Sequence, residues 1–177
     1  RDAAWAREVV EALRTEGPAA SREVALIVGG DVSGIQSYLY AIASEGAAKS
    51  LRGRSFYLQL LTEAVALAYL EALHLPATNL IYVGGGHFYL LAPTNAEARA
   101  TIAATQARLA EVLLGAHDGR LYLAVGAVAV AASSFLTGHF SSVWTDIHRA
   151  LDRDKHQRFV ALGEERMAEE IGTTRSD

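Results

Sequence analysis

The stretch Asn79 to Leu91, NLIYVGGGHFYLL, constrains the fold more than any other part of the chain. Leu80 to Val83 and Phe88 to Leu91 are runs of β-branched, aromatic and aliphatic side chains. Between them Gly84, Gly85 and Gly86 supply the positive φ angles of a tight turn. The pattern predicts a β-hairpin with a bare tip. Such a tip lets a ligand or a second backbone approach closely, and in metal-dependent nucleotidyl transfer it is one place where carboxylates hold the metal. This stretch contains no Asp or Glu.

A chain of 177 residues, 51% of them hydrophobic, can bury one proper core. Its formal net charge of -4 argues against an autonomous nucleic-acid binder. The absence of Cys rules out disulfides, thiolate metal sites and a cysteine nucleophile, and is compatible with a reducing cytoplasm. No run reaches the length of a membrane span, and the start lacks a signal pattern. A chain beginning at Arg1 without Met and ending amid charge at Asp177 reads as a piece of something larger.

In chain order, Trp5, Val9 and Leu13 predict an amphipathic helix over residues 1–16, ended by Gly17 and Pro18. Val24 to Val28 is a continuous apolar run bounded by Gly29 and Gly30, as in a strand buried on both faces. Asp31 follows at its C-terminal end, where ligands are met in open sheets, or where an acid caps the next helix. A P-loop is excluded because no Lys follows Gly34 at the required place. A short helix is expected from Ile35 to Ala43. Lys49, Arg52 and Arg54 then place three cations in a loop, suited either to phosphate or to plain solvation. Ser55 would cap a long helix from Phe56 to Leu73 with a buried stripe at Phe56, Leu60, Ala64 and Leu67. Tyr38, Phe56, Tyr57 and Tyr69 are expected in the core.

Beyond the hairpin, Asn95 opens a helix carrying Ala98, Ile102, Leu109 and Leu113 on one face, with Gly115 as its stop. Leu121 to Val130 reads as an interior strand. Trp144, Ile147, Leu151, Phe159 and Leu162 mark a C-terminal helix or helix pair. The resulting βαββαβ order predicts an α+β ferredoxin-like palm, a four-stranded antiparallel sheet with helices on one face. The expected division is a helical link over 1–20, the palm over 21–135 and a helical extension over 136–177. His74, His117, His139, His148 and His156 show no metal-ligand spacing.

Three blocks in order, GGDVSGIQSYLY (Gly29 to Tyr40), GAAKSLRGRSFYLQLL (Gly46 to Leu61) and NLIYVGGGHFYLL, resemble the first palm domain of the type III CRISPR large subunit, and within it the Csm subtype of type III-A complexes. The resemblance implies antiviral defence. It also implies a parent protein with an HD nuclease domain and a second palm bearing a GGDD hairpin, the paired palms converting ATP to cyclic oligoadenylate. Set against the cyclase pattern, Asp31 matches the first strand acid, Ser33 stands where a second would be, and Gly86 and His87 take the acidic positions of the tip. One carboxylate cannot hold two divalent cations tightly, and His87 suits magnesium poorly. This palm is therefore expected to be silent alone, with Mg or Mn held mainly by the partner palm.

Its expected role is one wall of the ATP site, formed by Asp31, Ser33, Gly34, Gly84, Gly85, Gly86 and His87, with Lys49, Arg52 or Arg54 meeting phosphate or RNA. The expected partners are the second palm, other type III-A subunits and crRNA, with no membrane and a possible palm-palm dimer in isolation. The competing readings are a stand-alone GGDEF-like cyclase and a purely structural scaffold.

Overall fold

A computed structural model of the chain describes residues 18–40, 47–136 and 139–157, together with helical positions Ala4, Arg7, Val10 and Glu11. Strand β1 runs Glu23–Ser33 and is followed by the short helix α1, Ile35–Tyr40, and the long helix α2, Ala47–Ala72. The hairpin is β2, Leu80–Gly84, and β3, His87–Ala92. Helix α3 spans Ala96–His117, strand β4 Tyr122–Ala131 and helix α4 Phe140–His156. The sheet order is β2-β3-β1-β4 with every neighbouring pair antiparallel, which is the ferredoxin-like arrangement.

The hairpin forms as its residues dictate. Gly85 and Gly86 occupy the two central turn positions with φ of 60° and 86°, so both need the left-handed region that glycine enters without steric cost. Gly84 pairs with His87 to close the turn.

Strand β1 is longer than its apolar run. It passes through Gly29 and Gly30 and ends at Ser33, so Asp31 lies inside the strand and does not cap α1. The two glycines serve close packing. A Cβ at Gly30 would overlap the ring of Phe88, and one at Gly29 would press on Ile147 and Tyr89.

Helix α2 also starts earlier than expected, at Ala47, so Lys49, Arg52 and Arg54 are helical and Ser55 is no cap. Ala, Lys, Leu and Arg are strong helix formers and carry the helix through Gly53, whose surroundings are open. The buried face of α2 is Leu58, Thr62, Val65, Ala66, Tyr69 and Leu70, and the expected stripe points outward, with Phe56 66% and Leu67 57% exposed. Of the four expected core aromatics, Tyr69 is fully buried, Tyr38 half-buried, and Phe56 and Tyr57 exposed. Because α2 is apolar on more than one face, periodicity alone could not choose its inner side.

Helix α3 is capped by the Asn95 side chain, which accepts from Ala98 N at 2.8 Å. It runs past Gly115 and ends where Asp118 takes a left-handed conformation.

Two cores result. Helices α2 and α3 cover one sheet face, burying Leu26, Val28, Val32, Phe88, Leu90, Leu121 and Leu123. Helix α4 covers β1 and β4 on the opposite face, over Ile27, Tyr89, Tyr122, Ala124 and Val130, with Val143, Ile147 and Leu151. The C-terminal helix expected as an extension thus packs directly on the sheet. Most of the N-terminal helix, with Trp5, Val9 and Leu13, lies outside the described residues, as do Phe159 and Leu162. Among the described residues no helix is long and apolar enough to cross a membrane.

Candidate functional site

Strand direction gathers the predicted residues at one end of the sheet. Strand β1 ends at Ser33 opposite Tyr122, the start of β4, and Asp31 pairs with His87, the first residue of β3. The glycine turn is therefore held beside the end of β1, and Val32 N donates to Gly86 O at 2.8 Å. Alternation along β1 puts Leu26, Val28 and Val32 towards α2 and α3, and Ile27, Gly29 and Asp31 towards α4.

Asp31 is the centre of this end. The residue is 7% exposed, and its Oδ2 lies 2.6 Å from Lys155 Nζ and 3.1 Å from His87 Nε2. Lys155 comes from the last turn of α4 and also approaches Asp152 Oδ1 at 3.6 Å. Burial alone would lower the Lys155 pKa, but the hydrogen bond to Asp31, its charge and that of Asp152 outweigh it, and the pKa is raised. The ammonium is thus fixed in its charged form. His87 Nδ1 faces Gly85 O at 3.1 Å, so the ring bridges the carboxylate and the turn.

The neighbouring residue Asp154 pins the same helix turn. Its Oδ2 accepts from Tyr122 OH at 2.7 Å, Val125 N at 2.9 Å and Gln106 Nε2 at 2.9 Å. Val125 lies on edge strand β4, and Gln106 reaches round that edge from α3. Nearly two turns earlier, His148 Nδ1 donates to Trp144 O at 2.7 Å, which leaves Nε2 to accept from Tyr89 OH at 3.2 Å. Burial, then the charge of Asp31, raise the Tyr89 pKa.

The expected residues divide. Asp31, His87, Gly85 and Gly86 come together, with Gly84 closing the turn and Ser33 half-buried two residues along β1 on the same face as Asp31. Gly34, with φ of 88°, is explained by packing, since a Cβ there would overlap the carbonyl of Arg120. Gly86 is hemmed in by Ile35, whereas Gly85 is open. The tip is less bare than expected, because the carbonyls of Gly85 and Gly86 are both engaged.

The cations form a separate group. Lys49 and Arg52 are exposed. Arg54 donates to Tyr38 O and sits 5.1 Å over the Tyr38 ring, so it ties α1 to α2. Beside it Tyr57 OH meets His117 Nε2 at 2.9 Å. Burial, then the charge of Arg120, lower the His117 pKa against a smaller opposing effect of Asp118.

Lys155 and Asp154 were not singled out from the sequence, and His148 was read there only as a histidine without metal-ligand spacing. They stand among other charges on a surface-patterned helix, and nothing local marks them as facing Asp31, Tyr122 and Tyr89. Among the described residues no group of three or more His, Cys, Asp or Glu side chains is arranged to hold a metal ion. The donor set at Asp31 does not fit magnesium or manganese: one carboxylate oxygen is already held by an ammonium, and the adjacent side chain is an imidazole.

Residues 24–171 match the family profile described as Csm1 subunit domain B. A relative from Mycobacterium tuberculosis, described as a CRISPR system single-strand-specific deoxyribonuclease Cas10/Csm1 (subtype III-A), is 42% identical over 121 residues, covering 68% of this chain and 15% of the relative. One from Enterococcus italicus with the same description is 34% identical over 139 residues, covering 77% of this chain and 18% of the relative. The chain thus spans under a fifth of the length of these relatives. The fold is similar to Csm1 in a Csm1-Csm4 cassette crystallised with one ATP, with a TM-score of 0.74 and 28% identity over 88% of this chain and 22% of that one. Similar cassettes hold AMPPNP and cA4. The chain belongs to the Csm1 family of type III-A CRISPR large subunits and corresponds to domain B of that subunit.

Proposed function

We propose that this domain is a non-catalytic palm of a type III-A interference complex, forming one wall of the ATP site used for cyclic oligoadenylate synthesis. The metal-bound chemistry then belongs to a second palm outside this sequence. The observation that carries the reading is Asp31: the strand acid at this end of the palm is already paired within the chain with Lys155 and His87, beside a turn that offers no oxygen anion of its own. The nucleotides held by similar Csm1-Csm4 cassettes support a nucleotide role for the family. The wall is assigned to Asp31, Ser33, Gly34, Gly84, Gly85, Gly86 and His87. Lys49 and Arg52, both exposed, are assigned to phosphate or RNA, and the partners are the second palm, other Csm subunits and crRNA in the cytoplasm.

The test uses Gly85, because its left-handed φ suits Asn and Asp and its surroundings are open. In the full-length subunit Gly85→Asp puts a carboxylate at the turn, and Gly85→Asn is its uncharged counterpart. We expect Gly85→Asp to weaken ATP binding and product yield by about tenfold, with Gly85→Asn within about threefold of the parent. Equal behaviour of the two variants would refute the wall.

A further inference from the structure

Asp31 presents a charge problem that the fold solves in a specific way. A lone carboxylate carries half the charge needed to balance a divalent cation, and here its oxygen is met by the Lys155 ammonium and the His87 imidazole, with Asp152 also close to the ammonium. Helix α4 delivers that ammonium to Oδ2 at 2.6 Å, and the Asp154 contacts to β4 fix the helix turn that carries it. Lys155 is not sealed in. Its side chain is 35% exposed and that of His87 42%, whereas the Asp31 side chain beneath them is 10% exposed. An ammonium has three donors; Asp31 takes one and the Asp152 carboxylate, 3.6 Å away, engages a second, which leaves one for solvent or a ligand. A positioned cation with a donor to spare therefore stands part-exposed above Asp31 and beside His87.

We propose that Lys155 is a built-in cation at this half-site, contacting the polyphosphate of a bound nucleotide where a metal-dependent palm would use a divalent ion. The proposal rests on the reading of this end as a nucleotide wall and adds the residue and the charge that hold the phosphates. Asp31 is then a positioning residue, which holds the ammonium in place and has no metal to bind. The ligand class is a nucleoside triphosphate, and binding here does not require magnesium.

The experiment is AMPPNP titration of the full-length subunit by calorimetry, with magnesium and with excess EDTA. The parent protein should keep one binding component in EDTA. Lys155→Met should weaken that component by about tenfold, and Lys155→Arg should keep it within about threefold, because the charge survives. Lys155→Met leaves the buried Asp31 with only His87 beside it, so Asp31→Asn combined with Lys155→Met removes both charges and guards against misfolding. The double variant should lose the EDTA-resistant component as fully as the single one. Loss of all binding by the parent in EDTA would overturn the proposal, as would parent-like binding by the double variant. If Gly85→Asp weakens AMPPNP while the double variant does not, only the lysine assignment falls. If neither variant changes binding, the nucleotide wall falls with it.

Discussion

The two faces of the sheet are held down by different physics. On the face under α2 and α3 the contacts are apolar and continuous, with Phe88 and Leu90 of β3 meeting Tyr69 and its neighbours. On the face under α4 the apolar cluster is smaller, and the last helix turn is fixed by carboxylates and ammonium: Asp154 on the β4 edge and Lys155 on Asp31. Packing is non-directional and tolerates exchange, whereas polar pins fix one geometry and fail when one partner is removed. The face that carries the Asp31–Lys155 pair is the pinned one.

The largest expected effect breaks the apolar face. Phe88→Ala removes a fully buried ring that fills the space above Gly30 and should cost about 3–5 kcal/mol in urea denaturation. Next, Asp154→Ala takes the acceptor from the Val125 N–H and the Gln106 amide, while the Tyr122 hydroxyl keeps the Asp154 backbone carbonyl, and should cost about 2–3 kcal/mol. A loss below about 1 kcal/mol would show that α4 is held by its apolar contacts alone.

At the hairpin, Gly86→Ala meets both a positive φ and Ile35, and should cost about 1–3 kcal/mol. Tyr69→Phe should raise stability by about 1 kcal/mol in the same assay, since the Tyr69 hydroxyl is buried without a hydrogen-bond partner among the described residues. The smallest effect is in pH dependence. The His117 pKa is lowered on folding, so its contribution is complete above the ordinary histidine value and is lost as pH falls through the lowered one, because the unfolded chain takes the proton first. His117→Gln should flatten the stability profile below about pH 6.5 and leave it unchanged above.

How much was legible in the sequence follows the same division. The apolar runs of β1, the hairpin and β4 reported themselves, because β-branched and aromatic clusters bounded by glycine have few other uses. The start of α2 did not, because Ser55 imitates a cap while the preceding residues hold helix by propensity and carry no stripe. The reach of β1 was shortened because Gly29 and Gly30 look like an ending until Phe88 and Tyr89 fill the space above them. Asp31 was singled out by its place after the first apolar run and His87 by its place at the hairpin tip, and the fold sets them side by side. Lys155 was not, since an ion pair between residues so distant in sequence depends on where α4 lands, and one charged helix residue looks like another.

Anomalous diffraction from the full-length subunit crystallised with AMPPNP and manganese tests the central claim most directly. The account predicts no manganese at Asp31, with Lys155 Nζ still on the carboxylate and within about 3 Å of a phosphate oxygen. A manganese ion bound by Asp31, with Lys155 displaced, would contradict it.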